Sequence, residues 1–161
     1  MHIHRLEKIW LTVGIAMLFV FLGVIGVSAF AMGTQPPSRH HHMIDPAKVN
    51  ETAPFNQPGV FQVGKTEYEA VIVSYAFGYT GGPEEQPEMR VPAGSTVHFT
   101  ATSTDVVHGF EIPGTNVNMM LVPGEVSQVS HTFDRKGEYL ILCNEYCGTG
   151  HEYMMTKLIV E

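Results

Sequence analysis

The chain has 161 residues, 44% of them hydrophobic and 16% charged, and its 16 acidic side chains outnumber 9 basic ones for a net charge of -7. That length implies one folded domain with an appendage. The acidic balance excludes nucleic acid as a partner, because a phosphate backbone is bound through an excess of Lys and Arg, and it favours a cationic protein arriving through solvent.

The first element is apolar. Residues 9–32, IWLTVGIAMLFVFLGVIGVSAFAM, carry no charge, and at about 1.5 Å rise per residue a helix of this length crosses a hydrocarbon core of about 30 Å. A signal peptide is the competing reading, since Ala29-Phe30-Ala31 resembles a cleavage site, but the run exceeds the roughly 7 to 15 residues of an h-region. Arg5 and Lys8 mark residues 1–8 as a short cytoplasmic tail, which places the rest of the chain on the outer face of the cell membrane in a single pass.

Residues 33–62, GTQPPSRHHHMIDPAKVNETAPFNQPGVFQ, are rich in Pro, Asn, Gln and Ser with little periodicity. They read as an extracytoplasmic surface linker, with the triplet His40-His41-His42 an ordinary polar tract. The outer domain is expected over residues 63–161. Short β-branched and aromatic runs (YEAVIVSYAF, STVHFTATST, VSQVSHTF, GEYLILC, MTKLIVE) alternate there with turn signals such as GGPEEQP, VPAGS and VPGE, and nothing looks helical. This is the texture of an all-β sandwich or barrel. In STVHFTA the alternation turns His98 away from the core.

The last loop, CNEYCGTGHEYM over residues 143–154, holds both cysteines of the chain, His151 and Met154. A disulfide is the first reading in an oxidising compartment, but it would close a very short loop and leaves His151 and Met154 unexplained. Zinc is the second, against which stand the C-x3-C spacing and the thioether. Copper suits the set better: thiolate and thioether are soft ligands, and one Cys, one His and a weak axial Met with a distant His make a mononuclear copper site. Here a second thiolate is available, and its simple use is to bridge two coppers. The distant histidine is to be sought among His98, His108 and His131. His108, in STDVVHGFEIPG, reads as a loop residue before a glycine that allows close backbone approach, whereas His131 alternates with Val129 and Phe133 as a strand residue.

The run from Cys143 to Met154, preceded by VVHGFEIPG and closed by a strand, resembles the binuclear copper A centre of subunit II of haem-copper oxidases, over residues 68–161 and the anchor. The resemblance implies a cupredoxin-like Greek-key sandwich or barrel on one N-terminal transmembrane helix. It makes Cys143 and Cys147 the bridging thiolates, His108 and His151 the imidazole ligands, Met154 the thioether on one copper and the Glu145 carbonyl a ligand to the other. In many family members the acid at Glu145's position also helps to hold a magnesium ion at the boundary with the catalytic subunit. A Trp-rich stretch in the larger branch corresponds here to SYAFGYT, so Tyr75, Phe77 and Tyr79 are the expected electron-accepting aromatics. With a single helix and Trp10 as its only tryptophan, the chain most resembles the ba-type branch.

The expected function is therefore that of the subunit through which electrons enter a terminal cytochrome c oxidase, a proton-translocating oxidoreductase. Two coppers take electrons singly from cytochrome c or a similar donor and pass them to the haems of catalytic subunit I, where oxygen is reduced. Nothing in this chain reads as apparatus for oxygen chemistry, so no catalytic residue is expected in it. The C-x-x-C-H motif of a covalent haem c is absent from the sequence. The alternatives are a copper A subunit of a nitric oxide reductase, separated by which gas is consumed, and a tethered copper chaperone, separated by copper retention against a chelator.

Overall fold

The computed structural model describes residues 4–31, 38–80 and 88–161. It divides into a unit of residues Met1–Pro36 and a unit of residues Pro37–Glu161. In the first, helix α1 (Arg5–Ala31) runs 27 residues with no buried side chain. By length and composition the helix suffices to cross a bilayer.

The second unit is two β-sheets. One has the order β1 (Ser38–Met43), β9 (Glu125–Phe133), β6 (Ser95–Ser103), β3 (Glu67–Tyr75), β2 (Gly59–Gln62), with β4 (Gly78–Thr80) folded back on the end of β3. The other runs β5 (Met89–Val91), β11 (Met155–Val160), β10 (Gly137–Leu142), β7 (His108–Glu111), β8 (Asn118–Leu121). β3 and β6 pair in parallel, as do β11 and β5. Between the sheets lies one apolar core containing Ile72, Phe99, Phe110, Phe133, Ile141 and Leu158. Alternation builds it: on β6 Val97, Phe99 and Ala101 turn inward, and His98 faces off the core, where its Nδ1 shares a hydrogen bond with Ser130 Oγ at 2.7 Å. Cys143, Cys147 and Met154 belong to this same core, so the chemistry sits at its edge rather than on an appended loop.

The stretch expected as a linker is largely structured. β1 pairs with β9, β2 pairs with β3, and a 3-10 helix (Pro46–Glu51) between them is capped by Asp45, whose side chain accepts from Ala47 N–H. The physical reason is a second, smaller core. Val49 and Phe55 bury against Val71, Val73 and Val126 on the outer face of the first sheet, and each such side chain contributes about 1.5–3 kcal/mol by leaving water. This cover also explains why β3 is buried on both faces from Ala70 to Ser74. A second 3-10 helix, His151–Tyr153, lies inside the cysteine loop, where no helical turn was expected.

Candidate metal centre

Three connections converge at one end of the sandwich: the β10–β11 loop with both cysteines, the start of β7, and the turn between β3 and β4. His108 is not on a loop, as its sequence context suggests. It opens β7, paired with Leu121, and is 0% exposed. Its Nε2 is held by Asp105 Oδ1 at 2.8 Å, while its Nδ1 is buried without a hydrogen-bond partner. A buried imidazole nitrogen left unpaired costs about 1–3 kcal/mol unless something fills its lone pair. The ligand atoms of His108, Cys143 and Cys147 all lie within 4.8 Å of one another.

The cysteine loop closes around this point. The Cys143 and Cys147 sulfurs stand 3.8 Å apart. Cys147 Sγ is 3.6 Å from His151 Nδ1 and 3.7 Å from Met154 Sδ, and Cys143 Sγ is 3.1 Å from the Glu145 carbonyl oxygen. The 3-10 turn supplies the spacing, because side chains three residues apart eclipse in that geometry, which brings His151 and Met154 to the same side. The loop is pinned at its ends, where Cys143 N–H donates to the Met154 carbonyl at 3.2 Å. All six residues expected as ligands are thus brought together. His98 and His131 are not: His131 Nδ1 bonds Asn116 Oδ1 and its ring meets Phe133 edge-on.

Electrostatics favour a cation here. Burial, then the hydrogen bond and charge of Cys143, push the Cys147 thiol up to about 11. A cation beside the Cys147 sulfur would favour its thiolate, so metal binding would release protons. Burial would raise Asp105, but the His108 hydrogen bond and the N–H groups of Val106 and Ala76 outweigh it and hold the carboxyl below its ordinary value. It is therefore an anion fixed behind the imidazole, an arrangement that orients and strengthens a metal-binding histidine.

The sequence SYAFGYT forms a hairpin rather than one strand. β3 ends at Tyr75, the chain turns at Ala76 and Phe77, and β4 returns. Tyr75 and Phe77 are 43% and 38% exposed, while Tyr79 is 2% exposed and donates its hydroxyl to the Gly109 carbonyl. The Phe77 ring covers the cysteine loop so closely that a methyl group at Gly148 or Gly150 would run into it. Gly109 meets Asn144 in the same way, which lets its N–H reach Cys143 Sγ at 3.3 Å. The turn also donates Ala76 N–H to Asp105 Oδ2 at 2.7 Å. Asp105, Tyr79's inner role and the covering by Phe77 were not read from the sequence. An Asp three residues before a candidate ligand histidine is the one signal that could have revealed the first.

Comparison with known proteins points one way. Residues 82–161 match the family described as cytochrome C oxidase subunit II, periplasmic domain. The chain is 41% identical over 161 residues to a cytochrome c oxidase subunit 2 of Thermus thermophilus, covering 96% of this chain and 91% of that one. It is 39% identical over 70 residues to subunit 2 of Saccharomyces cerevisiae, covering 44% of this chain and 28% of that protein. A chain from a cryo-EM structure of a heme-copper terminal oxidase dimer superposes with a TM-score of 0.79 at 34% identity, over 98% of this chain and all of that one. The periplasmic domain of subunit II of cytochrome oxidase from Bradyrhizobium japonicum, 21% identical with a TM-score of 0.53 over 62% of this chain and 88% of its own, shares the fold.

Proposed function

This chain belongs to the family of cytochrome c oxidase subunit II, through which electrons enter a heme-copper oxidase, and we propose that it does so with two copper ions, which Cys143 and Cys147 would both hold. His108 and His151 would each supply an imidazole, Met154 a weak thioether and Glu145 its carbonyl oxygen. The observation that carries this reading is the buried Nδ1 of His108, unpaired beside two thiols, with the other ring nitrogen already fixed by Asp105. The donor set is soft and mixed, which suits copper in both oxidation states.

When bound, the coppers would supply a reversible one-electron carrier. The residues of this chain do the rest. Asp105 holds the His108 ring, the 3-10 turn sets His151 and Met154 on one side, and the surrounding core excludes water, so ligand positions need not change between oxidation states. Tyr75 and Phe77, exposed beside the loop, form the surface on which a cytochrome c or similar one-electron donor docks. Electrons leave to the haems of subunit I. The family pattern supports a magnesium ion shared with subunit I through the Glu145 carboxylate. Arg5 and Lys8 support an N-terminus on the cytoplasmic side of the cell membrane, the copper domain lying outside. The nitric oxide reductase and copper chaperone readings are not favoured, since the relatives at high coverage are oxidase subunits.

The test is metal content and electron paramagnetic resonance of the full chain loaded with copper in detergent. Two coppers per chain, with one unpaired electron spread over both nuclei, are expected. One copper with a mononuclear hyperfine pattern would sink the two-copper assignment.

A further inference from the structure

The β3–β4 hairpin grips the centre at three places, and two of them have an evident purpose: Ala76 N–H fixes Asp105, and Phe77 roofs the cysteine loop. The third is Tyr79. Its hydroxyl, deep in the core, donates to the carbonyl of Gly109, the residue whose N–H donates to Cys143 Sγ and which follows His108 in the chain. Its ring is separately occupied, edge-on to Phe110 with centroids 5.6 Å apart at 87°. A tyrosine buried for packing alone would do as well as phenylalanine and would carry no polar atom to satisfy.

We propose that Tyr79 is a positioning residue of the copper centre: by clamping the Gly109 carbonyl it keeps the Gly109 N–H on the Cys143 sulfur and so raises the centre's reduction potential. This rests on the two-copper reading above. The chemistry fixes the sign. A hydrogen bond to a bridging thiolate withdraws electron density that the oxidised coppers would otherwise receive, so it disfavours the oxidised state. In a site closed to water the effect is larger than it would be at a surface. Gly109 packs closely on Asn144 and lies opposite Met120 of β8, and the phenol adds the contact that fixes its carbonyl.

The test uses copper-loaded full chain in detergent, wild type beside Tyr79→Phe, with three readouts: copper stoichiometry, reduction potential, and the Gly109 amide signal in the diamagnetic reduced state. Tyr79→Phe is expected to keep two coppers, shift the Gly109 amide proton upfield, speed its exchange with solvent and lower the potential. Incorporating 3-fluorotyrosine at position 79, which keeps ring and hydroxyl but makes a stronger donor, is expected to shift the potential upward. A Phe variant with two coppers but an unmoved amide and potential overturns the proposal. Should that variant fail to load, the fluorotyrosine protein decides, and an unshifted potential there overturns it equally. A wild-type chain that lacks the two-copper spectrum would instead refute the premise, so the two failures are told apart.

Discussion

On the proposed reading, in which Cys143 and Cys147 bridge two coppers and Met154 is an axial thioether, removing a cysteine should cost more than removing the methionine. Cys147→Ser is expected to abolish the shared-electron spectrum, since a hydroxyl is a poor copper bridge, and to leave at most a mononuclear species on Cys143, His108 and His151. Met154→Leu should keep both coppers and raise the reduction potential. Met154 is almost fully buried in the main core, and Leu matches it closely enough in volume that the packing cost stays under about 1.5 kcal/mol. Metal analysis and voltammetry check both variants, and loss of all copper from Met154→Leu would contradict the axial assignment. At this scale the residues that the fold gathers were legible in the sequence where they share one loop, as Cys143, Cys147, His151 and Met154 do. Asp105 and Tyr79 were not, because a carboxylate and a phenol become partners of His108 and Gly109 only when separate connections meet, and no spacing rule encodes that meeting.

The elements around the centre are coupled through two kinds of cover. The first is the hairpin turn, whose Phe77 ring occupies the space a side chain at Gly150 would need. Gly150 has a φ of -104°, so an alanine there meets a steric limit and not a backbone one. Gly150→Ala should destabilise the copper-loaded domain by about 1–3 kcal/mol, and adding Phe77→Ala should recover most of that loss, a coupling that thermal unfolding of the four proteins of a double-mutant cycle measures. Additive losses would show that the ring and the loop do not compete. The second cover is residues 44–55 on the outer face of the first sheet. Phe55→Ala should lose about 3–5 kcal/mol of stability while leaving the copper spectrum unchanged, because its cavity opens in the small outer core and not at the metal. This segment read as a linker for a physical reason: its Pro, Asn and Gln hide two apolar anchors, Val49 and Phe55, too far apart to show a period. The strands of the main sandwich, with alternation along nearly every run, were legible, and so was the anchor helix. SYAFGYT looked like one strand because a tight hairpin leaves the same alternation on both sides of its turn.

On the scale of the whole molecule, charge is divided unevenly between the two units. Arg5, Glu7 and Lys8 precede the apolar run of residues 9–32, so the remaining 15 acidic and 7 basic side chains fall in the β-sheet unit. A unit that carries this excess and exposes Tyr75 and Phe77 beside its metal loop should attract a basic donor over distance and bind it through apolar contact at close range. The acidic run GGPEEQPE, which follows the hairpin directly in the chain, is the natural source of that attraction. Glu84 and Glu85 lie outside the described residues. Glu88 is paired with Arg90 at 3.1 Å, and Arg90 also reaches Glu161 at 3.4 Å, so this exposed trio keeps one net negative charge. Glu84→Gln with Glu85→Gln should therefore slow reduction of the copper centre by a basic cytochrome c at about 0.01 M ionic strength, where the Debye length is about 30 Å, and have little effect near physiological salt, where it is about 8 Å. Adding Glu88→Gln should slow reduction further at low ionic strength, because it removes the net negative charge of that trio. Stopped-flow reduction across a salt series reads all of this, with copper content and spectrum as controls expected to stay constant, because rim charges act on association rate and not on the centre. Equal rates for wild type and the double variant at low salt would move the docking surface away from the hairpin, or assign the donor to a class held by apolar contact without steering.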